Sequence, residues 1–207
     1  MSVVSDLRRL PGCVRVSFDD GTAVDVPTPL FQLSKLRVGQ TVDPDSWRAG
    51  WVKQAFSFAL ERAAALLSVR DATEKETADR LRKSGYPEEI VARVMQMLTQ
   101  AGYVDDERFA GHFVESRGKR YGSRRLYGEL RRKGVSDQVA REALEDLDPE
   151  DEASSARKQA EKLLARKDIA DPDVRRKAVQ ALVRRGYGWD TAREAVESLS
   201  GQEDMDN

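Results

Sequence analysis

The stretch from Gly102 to Gly134 reads GYVDDERFAGHFVESRGKRYGSRRLYGELRRKG. It predicts two short helices joined by a basic turn that contains glycine. The first helix is expected to begin at Asp105-Asp106-Glu107, because acidic side chains suit the positive end of a helix dipole. Apolar residues then recur at the spacing that places them on one helix face. They are Phe109, Ala110, Phe113 and Val114.

The second predicted helix carries an apolar side and a basic side. Ser123 is a good N-cap residue, and Leu126 and Leu130 share one side. Four arginines fall within an arc of roughly 120° on the other side, at about 100° per residue. They are Arg124, Arg125, Arg131 and Arg132. Gly128 lies in the middle of this arc, where the lack of a side chain lets a partner approach the backbone.

A repeated pattern extends this arrangement along the chain. The segments Leu81–Tyr86, Leu130–Val135 and Leu182–Tyr187 each place basic residues before a glycine. Gly is favoured just after a helix, and Lys and Arg suit the negative end of the helix dipole. Apolar residues recur nine, ten and thirteen positions after each glycine. A period of about 50 residues therefore predicts tandem helical units, which bury little surface alone and need neighbours.

These patterns predict a mainly all-α protein with three tandem three-helix repeats in an elongated, curved row. We expect repeats at residues 49–102, 103–147 and 148–199, followed by an acidic tail at 200–207. Residues 1–48 form a separate extension, because Val14, Val16 and Phe18 alternate before an Asp-Asp-Gly turn. Val24 and Val26 alternate after the turn, so the two runs predict a β-hairpin. We expect this extension to be removable without unfolding the repeats.

Composition limits the function. The net charge is −1, so the chain as a whole is no general binder of polyanions, but residues 117–133 contain eight Lys or Arg and one acid. One Cys and one His cannot form a zinc site, and no P-loop or Gly-x-Ser-x-Gly sequence is present. We therefore expect no enzymatic activity, no metal and no cofactor. Without a signal peptide or a long apolar run, a cytoplasmic protein with no membrane contact is expected.

The central stretch also resembles the signature of a known family. The residues that carry the resemblance are Tyr103–Ala110, Arg117, Tyr121–Leu126 and Glu129–Val135. They are similar to the central signature of the RecX family, bacterial regulators of the recombinase RecA. The residue types and their spacing agree over more than thirty positions, and the likeness extends to roughly residues 50–199.

The resemblance implies a monomer that lies in the helical groove of the RecA filament on single-stranded DNA. It implies negative regulation of ATP hydrolysis, filament extension and strand exchange, and hence a role in DNA repair, recombination and the SOS response. The basic residues of the second and third repeats are the predicted partner-binding set. They are Arg117, Lys119, Arg120, Tyr121, Arg124, Arg125, Arg131, Arg132, Lys133, Arg175, Arg176, Arg184 and Arg185.

Two other functions fit the residues. One is a DNA-binding regulator whose repeats act like helix-turn-helix readers, with Arg124 and Arg125 touching phosphate at a helix N-terminus. The other is a helical adaptor that binds another protein through apolar grooves between repeats. The basic run is also compatible with a solvated surface that binds nothing.

Overall fold

The structure is a computed structural model that describes residues 1–203, except for the side chains of Lys53 and of residues 201–203. The strands are β1 (Ser2–Leu10), β2 (Cys13–Phe18), β3 (Ala23–Pro27) and β4 (Thr41–Val42). The helices of the first half are α1 (Thr28–Ser34), α2 (Pro44–Leu67), α3 (Glu74–Lys83) and α4 (Glu88–Gln100). Those of the second half are α5 (Asp106–Gly118), α6 (Ser123–Lys133), α7 (Asp137–Glu145), α8 (Pro149–Leu164), α9 (Pro172–Arg184) and α10 (Trp189–Glu203). The chain divides into two compact units, 1–105 and 106–207.

The first unit opens with an antiparallel sheet in the order β3-β2-β1-β4. The predicted hairpin is confirmed, since Val14 pairs with Val26 and Val16 with Val24. Strand β1 was not predicted, because a charged run, Asp6 to Arg9, breaks the apolar alternation after its first residues. Val4 is buried in the core and Leu7 packs against it, partly buried.

The sheet shares one core with the first three-helix domain, α2–α4. Val16, Val26 and Leu30 are almost fully buried in the same cluster as Leu81 and Val94. The end of α3 is in close contact with strands β2 and β3. A Cβ on Gly85, after α3, would lie 3.0 Å from the Cβ of Cys13 and 3.3 Å from the backbone of Asp25. The core therefore crosses the predicted boundary at residue 48, and we expect residues 1–48 and α2–α4 to unfold together.

The second unit contains two three-helix domains, α5–α7 and α8–α10. Their cores are separate clusters, one around Leu126 and Leu130 and the other around Leu182 and Tyr187. The predicted period is confirmed by the backbone, because Gly85, Gly134 and Gly186 have φ values of +83°, +98° and +94°. L-residues rarely adopt this left-handed conformation, so glycine is needed where each helix ends. A mainly helical fold with three three-helix domains and a small N-terminal antiparallel sheet is thus confirmed.

Helix ends show where local rules decide and where tertiary contacts do. Thr73, Asp148 and Asp171 cap α3, α8 and α9 with their side chains, as their sequence positions indicate. Ser123 does not cap α6; Gly122 occupies the N-cap position, and Ser123 is the first helical residue. Of the predicted acidic tail, residues 200–203 belong to α10, whereas residues 204–207 lie outside the described residues.

No helix in residues 1–203 combines the length and the apolar character that a membrane span requires.

Candidate partner-binding surface

The centre of the basic stretch is organised by its single acid, Glu129. Arg117 Nη1 lies 2.8 Å from Glu129 Oε2, and Arg125 Nε lies 2.9 Å from Glu129 Oε1. Arg132 stands at the edge of this cluster, 4.0 Å from the same oxygen. One carboxylate from α6 therefore holds an arginine of α5 and an arginine of its own helix. The ion pair between Arg117 and Glu129 holds α5 against α6, in addition to the apolar contacts between the two helices.

The pKa of Glu129 reflects this environment. Partial burial opposes ionisation of the carboxyl group. The hydrogen bond from Arg125 and the charges of the surrounding arginines outweigh burial, and the pKa of Glu129 lies below its ordinary value. The carboxylate therefore stays ionised near neutral pH, where it pairs with Arg117 and Arg125.

Arg125 serves the fold more than the surface. Its guanidinium lies 4.0 Å from the ring centroid of Tyr121, within the range of a cation–π contact, and its side chain is 39% exposed. Tyr121 is itself half-buried. Arg125 and Tyr121 were predicted to bind a partner, but the structure gives both a packing role inside the second domain.

Four other cations remain open to solvent, and we call them the basic surface: Lys119, Arg120, Arg124 and Arg132. All four are exposed, and the Arg132 side chain is 77% exposed. Within the described residues, the side chains of Lys119, Arg120 and Arg124 form no ion pair. Arg124, Gly128 and Arg132 follow at i, i+4 and i+8, so they form one stripe along α6. A Cβ on Gly128 would meet nothing within 4 Å, which leaves the backbone bare between the two arginines.

The turn between α5 and α6, residues 118–123, is held by the third three-helix domain. Gly122 N–H donates to Arg185 O at 3.1 Å, and Arg124 N–H donates to Gly186 O at 3.2 Å. The two backbones are so close that a Cβ on Gly122 would lie 2.4 Å from the carbonyl carbon of Gly186. Glycine is therefore required at position 122 for this contact. The contact fixes the turn that carries Lys119 and Arg120 of the basic surface.

Side chains of α8 complete the contact. Ser155 Oγ donates to Gly118 O at 2.8 Å and lies 2.8 Å from Tyr187 Oη, which is fully buried. Gln159 links Lys119 O, at 3.4 Å, to Arg185 Nη1, at 2.8 Å. Burial raises the pKa of Tyr187 and the hydrogen bond with Ser155 opposes that rise, so the phenol is neutral at ordinary pH. The second and third domains are thus joined by polar contacts around one turn.

The N-terminus of α6 is occupied by the protein itself. Ser123 N–H donates to Glu152 Oε1 at 2.8 Å, and the Arg124 amide is bonded to Gly186. A carboxylate therefore stands where an anion would bind to free amides at a helix start. Phosphate contacts by Arg124 must use its guanidinium, because the amides at this helix N-terminus are already satisfied.

The predicted residues of the third domain do not form one cluster. Arg175 Nη1 donates to the carbonyls of Ile169 and Ala170 at 3.0 and 3.2 Å, which fixes the α8–α9 connection. Arg176 pairs with Asp173 at 3.1 Å. Arg184 is exposed at the other end of α9, roughly 13 Å further along the axis at 1.5 Å per residue. Arg185 is half-buried on Gln159, so only Arg184 adjoins the held turn with an exposed charge.

Two remaining cations of α6 bend back onto the domain. Arg131 Nη1 donates to Val135 O at 2.6 Å, at the start of α7. The Lys133 ammonium lies 5.4 Å from the ring centroid of Phe109. Both were predicted to bind a partner; each also has a contact within the domain, and Arg131 remains exposed.

Arg141 is a surface cation that the sequence did not indicate. A surface groove of about 440 Å³ lies between α6 and α7, lined by Ser123, Arg124, Tyr127, Arg141, Leu144 and Glu145. Arg141 pairs with Asp137 at 2.9 Å, and its guanidinium lies 5.6 Å from the Tyr127 ring centroid. No repeat or charge run marks this residue, because its place beside Arg124 depends on how α7 packs on α6.

Comparison with known families now adds an independent result. Models of the first, second and third three-helix domains of RecX match residues 59–98, 105–144 and 150–196. Together they cover more than half of the chain. The chain belongs to the RecX family. The three repeats predicted from the glycine pattern are therefore the RecX three-helix domains.

Curated relatives agree with this assignment. Regulatory protein RecX of Mycolicibacterium smegmatis is 42% identical over 140 residues, which cover 63% of this chain and 73% of the relative. Regulatory protein RecX of Clostridium botulinum is 29% identical over 196 residues, covering 93% and 92%. A crystal structure of RecX from Lactobacillus salivarius has a TM-score of 0.65 at 23% identity, covering 72% of this chain and 98% of the other. A second crystal structure of regulatory protein RecX covers 95% and 100%, with a TM-score of 0.64 at 22% identity, so both likenesses concern the fold.

Proposed function

We propose that this protein binds the RecA filament on single-stranded DNA and lowers its ATP hydrolysis, its extension and its strand exchange. Membership of a family of regulatory proteins supports a regulator rather than an enzyme. The observation that carries the proposal is the stripe of Arg124, bare Gly128 and Arg132 on α6. It offers two exposed guanidinium groups on either side of an accessible backbone.

The chemistry of the stripe suits a surface that contains carboxylate or phosphate groups. Each guanidinium can donate a forked pair of hydrogen bonds to either group. The α5–α6 turn at the base of the stripe is held by hydrogen bonds to Arg185 and Gly186. Because that backbone is already ordered, binding costs less conformational entropy than the ordering of a free loop would.

The positive charge also sets how the encounter depends on salt. Association between a basic surface and an anionic filament is accelerated by electrostatic steering, and salt weakens that acceleration. We therefore expect binding to weaken as ionic strength rises. The rest of the chain balances this charge to a net of −1, so steering depends on the local surface.

The main experiment compares four partners under one salt condition: bare single-stranded DNA, duplex DNA, RecA alone, and RecA on single-stranded DNA. A clear preference for the last, with inhibition of RecA ATP hydrolysis at the same concentrations, is the expected result. Equal binding to duplex DNA and to the filament would favour a DNA reader and contradict the proposal. Strong binding to RecA alone with no effect of DNA would instead favour an adaptor.

The structure gives less support to a DNA-binding protein that reads DNA with the N-terminus of α6. Helix-turn-helix proteins place the N-terminal residues of their recognition helix against base edges in the major groove. Here that end is packed on Gly186 and Glu152. Duplex recognition would have to use the middle of α6, and the duplex arm of the experiment tests this directly.

A further inference from the structure

A second surface of the unit formed by residues 106–203 has the opposite charge. A cavity of about 650 Å³ lies between α5, the α7–α8 connection and α8. Pockets that hold drug-sized ligands have volumes of about 300–1,000 Å³, so this cavity is large enough for several side chains of a partner. We call it the acidic groove.

The floor of the groove is apolar. Ala143 of α7 and Leu147 after α7 are half-buried and line it, together with the buried Val114, the exposed Gly111 and the half-buried Gly118 of α5. Gly118 permits a close approach, since a Cβ there would lie 3.2 Å from Leu147 Cδ1. At Gly111 a Cβ would meet nothing within 4 Å, so this part of α5 faces open space.

The same repeat positions are covered in the first three-helix domain. Val94 and Leu98 stand nine and thirteen residues after Gly85, and they are 0% and 4% exposed. Ala143 and Leu147 stand at the same distances after Gly134 and remain half-buried. The second domain thus leaves part of its apolar stripe uncovered where the first domain does not, and this uncovered part forms the groove floor.

Carboxylates surround that floor. They are Glu115, Asp146, Asp148, Asp151 and Glu152. Lys119 and Lys158 also line the groove, so five carboxylates face two ammonium groups and the net charge is −3 with His112 neutral. Asp148 caps the backbone of α8 at Glu150, and Glu152 accepts from Ser123. Within the described residues, Glu115, Asp146 and Asp151 form no ion pair and are free to meet an incoming cation.

We propose that the acidic groove is a docking site for a protein segment in which an apolar side chain is flanked by Lys or Arg. The apolar side chain would cover Ala143 and Leu147, and the flanking cations would meet Glu115, Asp146 and Asp151. Complementary charge at a rim fixes register and speeds association, while the apolar contact supplies affinity. Nucleic acid is excluded as the occupant, because its phosphates would face the carboxylates.

A metal ion is the other ligand that carboxylates suggest. No group of three or more His, Cys, Asp and Glu residues in the described part of the chain is placed to hold one. The acidic groove therefore suits a protein segment that carries Lys or Arg, whereas the basic surface suits a partner that carries carboxylate or phosphate groups. This inference goes beyond the proposed function and does not require RecA.

The probe is a short synthetic peptide in which Leu is flanked by Lys and Arg, compared with the same peptide carrying Glu in place of Lys and Arg. Titration into the full chain, followed by amide NMR, should shift the signals of Gly111, Gly118, Ala143 and Leu147 with the basic peptide alone. Shifts confined to residues outside the groove, or equal shifts with the acidic peptide, would overturn the proposal.

Two matched pairs of variants sharpen the test. Gly111→Leu fills the groove and adds a better helix former to α5, so it should abolish peptide binding and keep the fold. Gly50→Leu makes the same change on α2, at an exposed position where a Cβ also meets nothing within 4 Å, and should leave peptide binding unchanged. Glu115→Gln with Asp151→Asn should weaken binding roughly fivefold, whereas Glu161→Gln with Glu194→Gln, which remove the same charge elsewhere, should not.

Peptide binding that survives Gly111→Leu in a chain that melts at or above the wild-type temperature would overturn the proposal. The probe contains neither RecA nor DNA. Failure of this test therefore leaves the proposed function standing, and failure of filament binding leaves the groove assignment standing.

Discussion

The two units of the chain stabilise their small helical domains in different ways. In residues 1–105, a four-stranded sheet and α2–α4 share one apolar core that includes Val16, Phe18, Leu81 and Val91. In residues 106–203, two three-helix domains have separate cores and meet through hydrogen bonds around the 118–123 turn. The first unit is stabilised by buried apolar area. In the second unit, hydrogen bonds between the two domains fix a turn that carries exposed charge.

The difference has a physical reason. Three helices of about a dozen residues bury too little surface to be stable alone, so each domain needs a neighbour. An apolar neighbour gives more stability per contact area, but it would have to cover the surface of the turn. A polar neighbour that binds only backbone groups, as Ser155, Gln159 and Gly186 do, leaves Lys119 and Arg120 open to a partner.

The largest effect is expected from removing the sheet. A fragment that begins at residue 49 should lose the fixed packing of α2–α4, because the sheet covers their core, while residues 106–203 keep their structure. Amide NMR should show dispersed signals for the second unit and collapsed signals for α2–α4. Well-dispersed signals throughout would show that the helices do not need the sheet, as the sequence first suggested.

A charge in the core of the second domain should have the next largest effect. Leu130 is fully buried, so Leu130→Asp should cost the second unit about 3–5 kcal/mol of unfolding free energy. Far-UV circular dichroism should lose helix signal, while the amide NMR signals of Trp47 and Trp51 in the first unit stay native. Gln138→Asp, on the exposed side of α7, is the control and should melt like the wild type.

Much of the fold was accessible from the sequence, because it depends on local rules. The left-handed glycines and the apolar stripes are short-range signals, and they located the three domains. Strand β1 was missed, since only its first residues are buried and its charged half lacks alternation. The core shared by the sheet and α2–α4 was missed as well, because it depends on long-range packing that no spacing reveals.

The close contact between Gly122 and Gly186 gives a smaller, more local test. Gly122→Ala should destabilise the second unit by about 1–3 kcal/mol, because the new methyl group must displace backbone. Gly128→Ala has open space and should stabilise α6 by about 0.5–1 kcal/mol. Thermal melts of the two variants should therefore move in opposite directions. A stabilising Gly122→Ala would mean that the two backbones are further apart than described.

The smallest loss of stability is expected at the buried hydroxyl pair. Tyr187→Phe removes one hydrogen bond to Ser155 but leaves the bond from Ser155 to Gly118, so the cost should be about 1 kcal/mol. Denaturant unfolding of the full chain measures it. A cost several times larger would show that the polar contact, rather than the two apolar cores, dominates the second unit.

The candidate site was only partly accessible from the sequence. The run of basic residues located it, and helical spacing placed Arg124, Gly128 and Arg132 on one stripe. The role of Glu129 was not accessible, because Arg117 comes from another helix twelve residues away. Nor could the sequence show that Arg185 and Arg175 bond to Gln159 and to backbone carbonyls, since isolated polar residues leave no periodic signal.

The central claim is that the exposed arginines of α6 bind the RecA filament. Its most direct test is inhibition of RecA ATP hydrolysis on single-stranded DNA by Arg124→Glu with Arg132→Glu. Arg125 is left intact, because it pairs with Glu129 and packs on Tyr121. The control, Arg157→Glu with Lys162→Glu, makes the same charge change at exposed positions of α8. The account predicts that the α6 variant melts normally, loses inhibition and loses its salt dependence, while the control inhibits like the wild type. A folded α6 variant that inhibits at the wild-type concentration would contradict it.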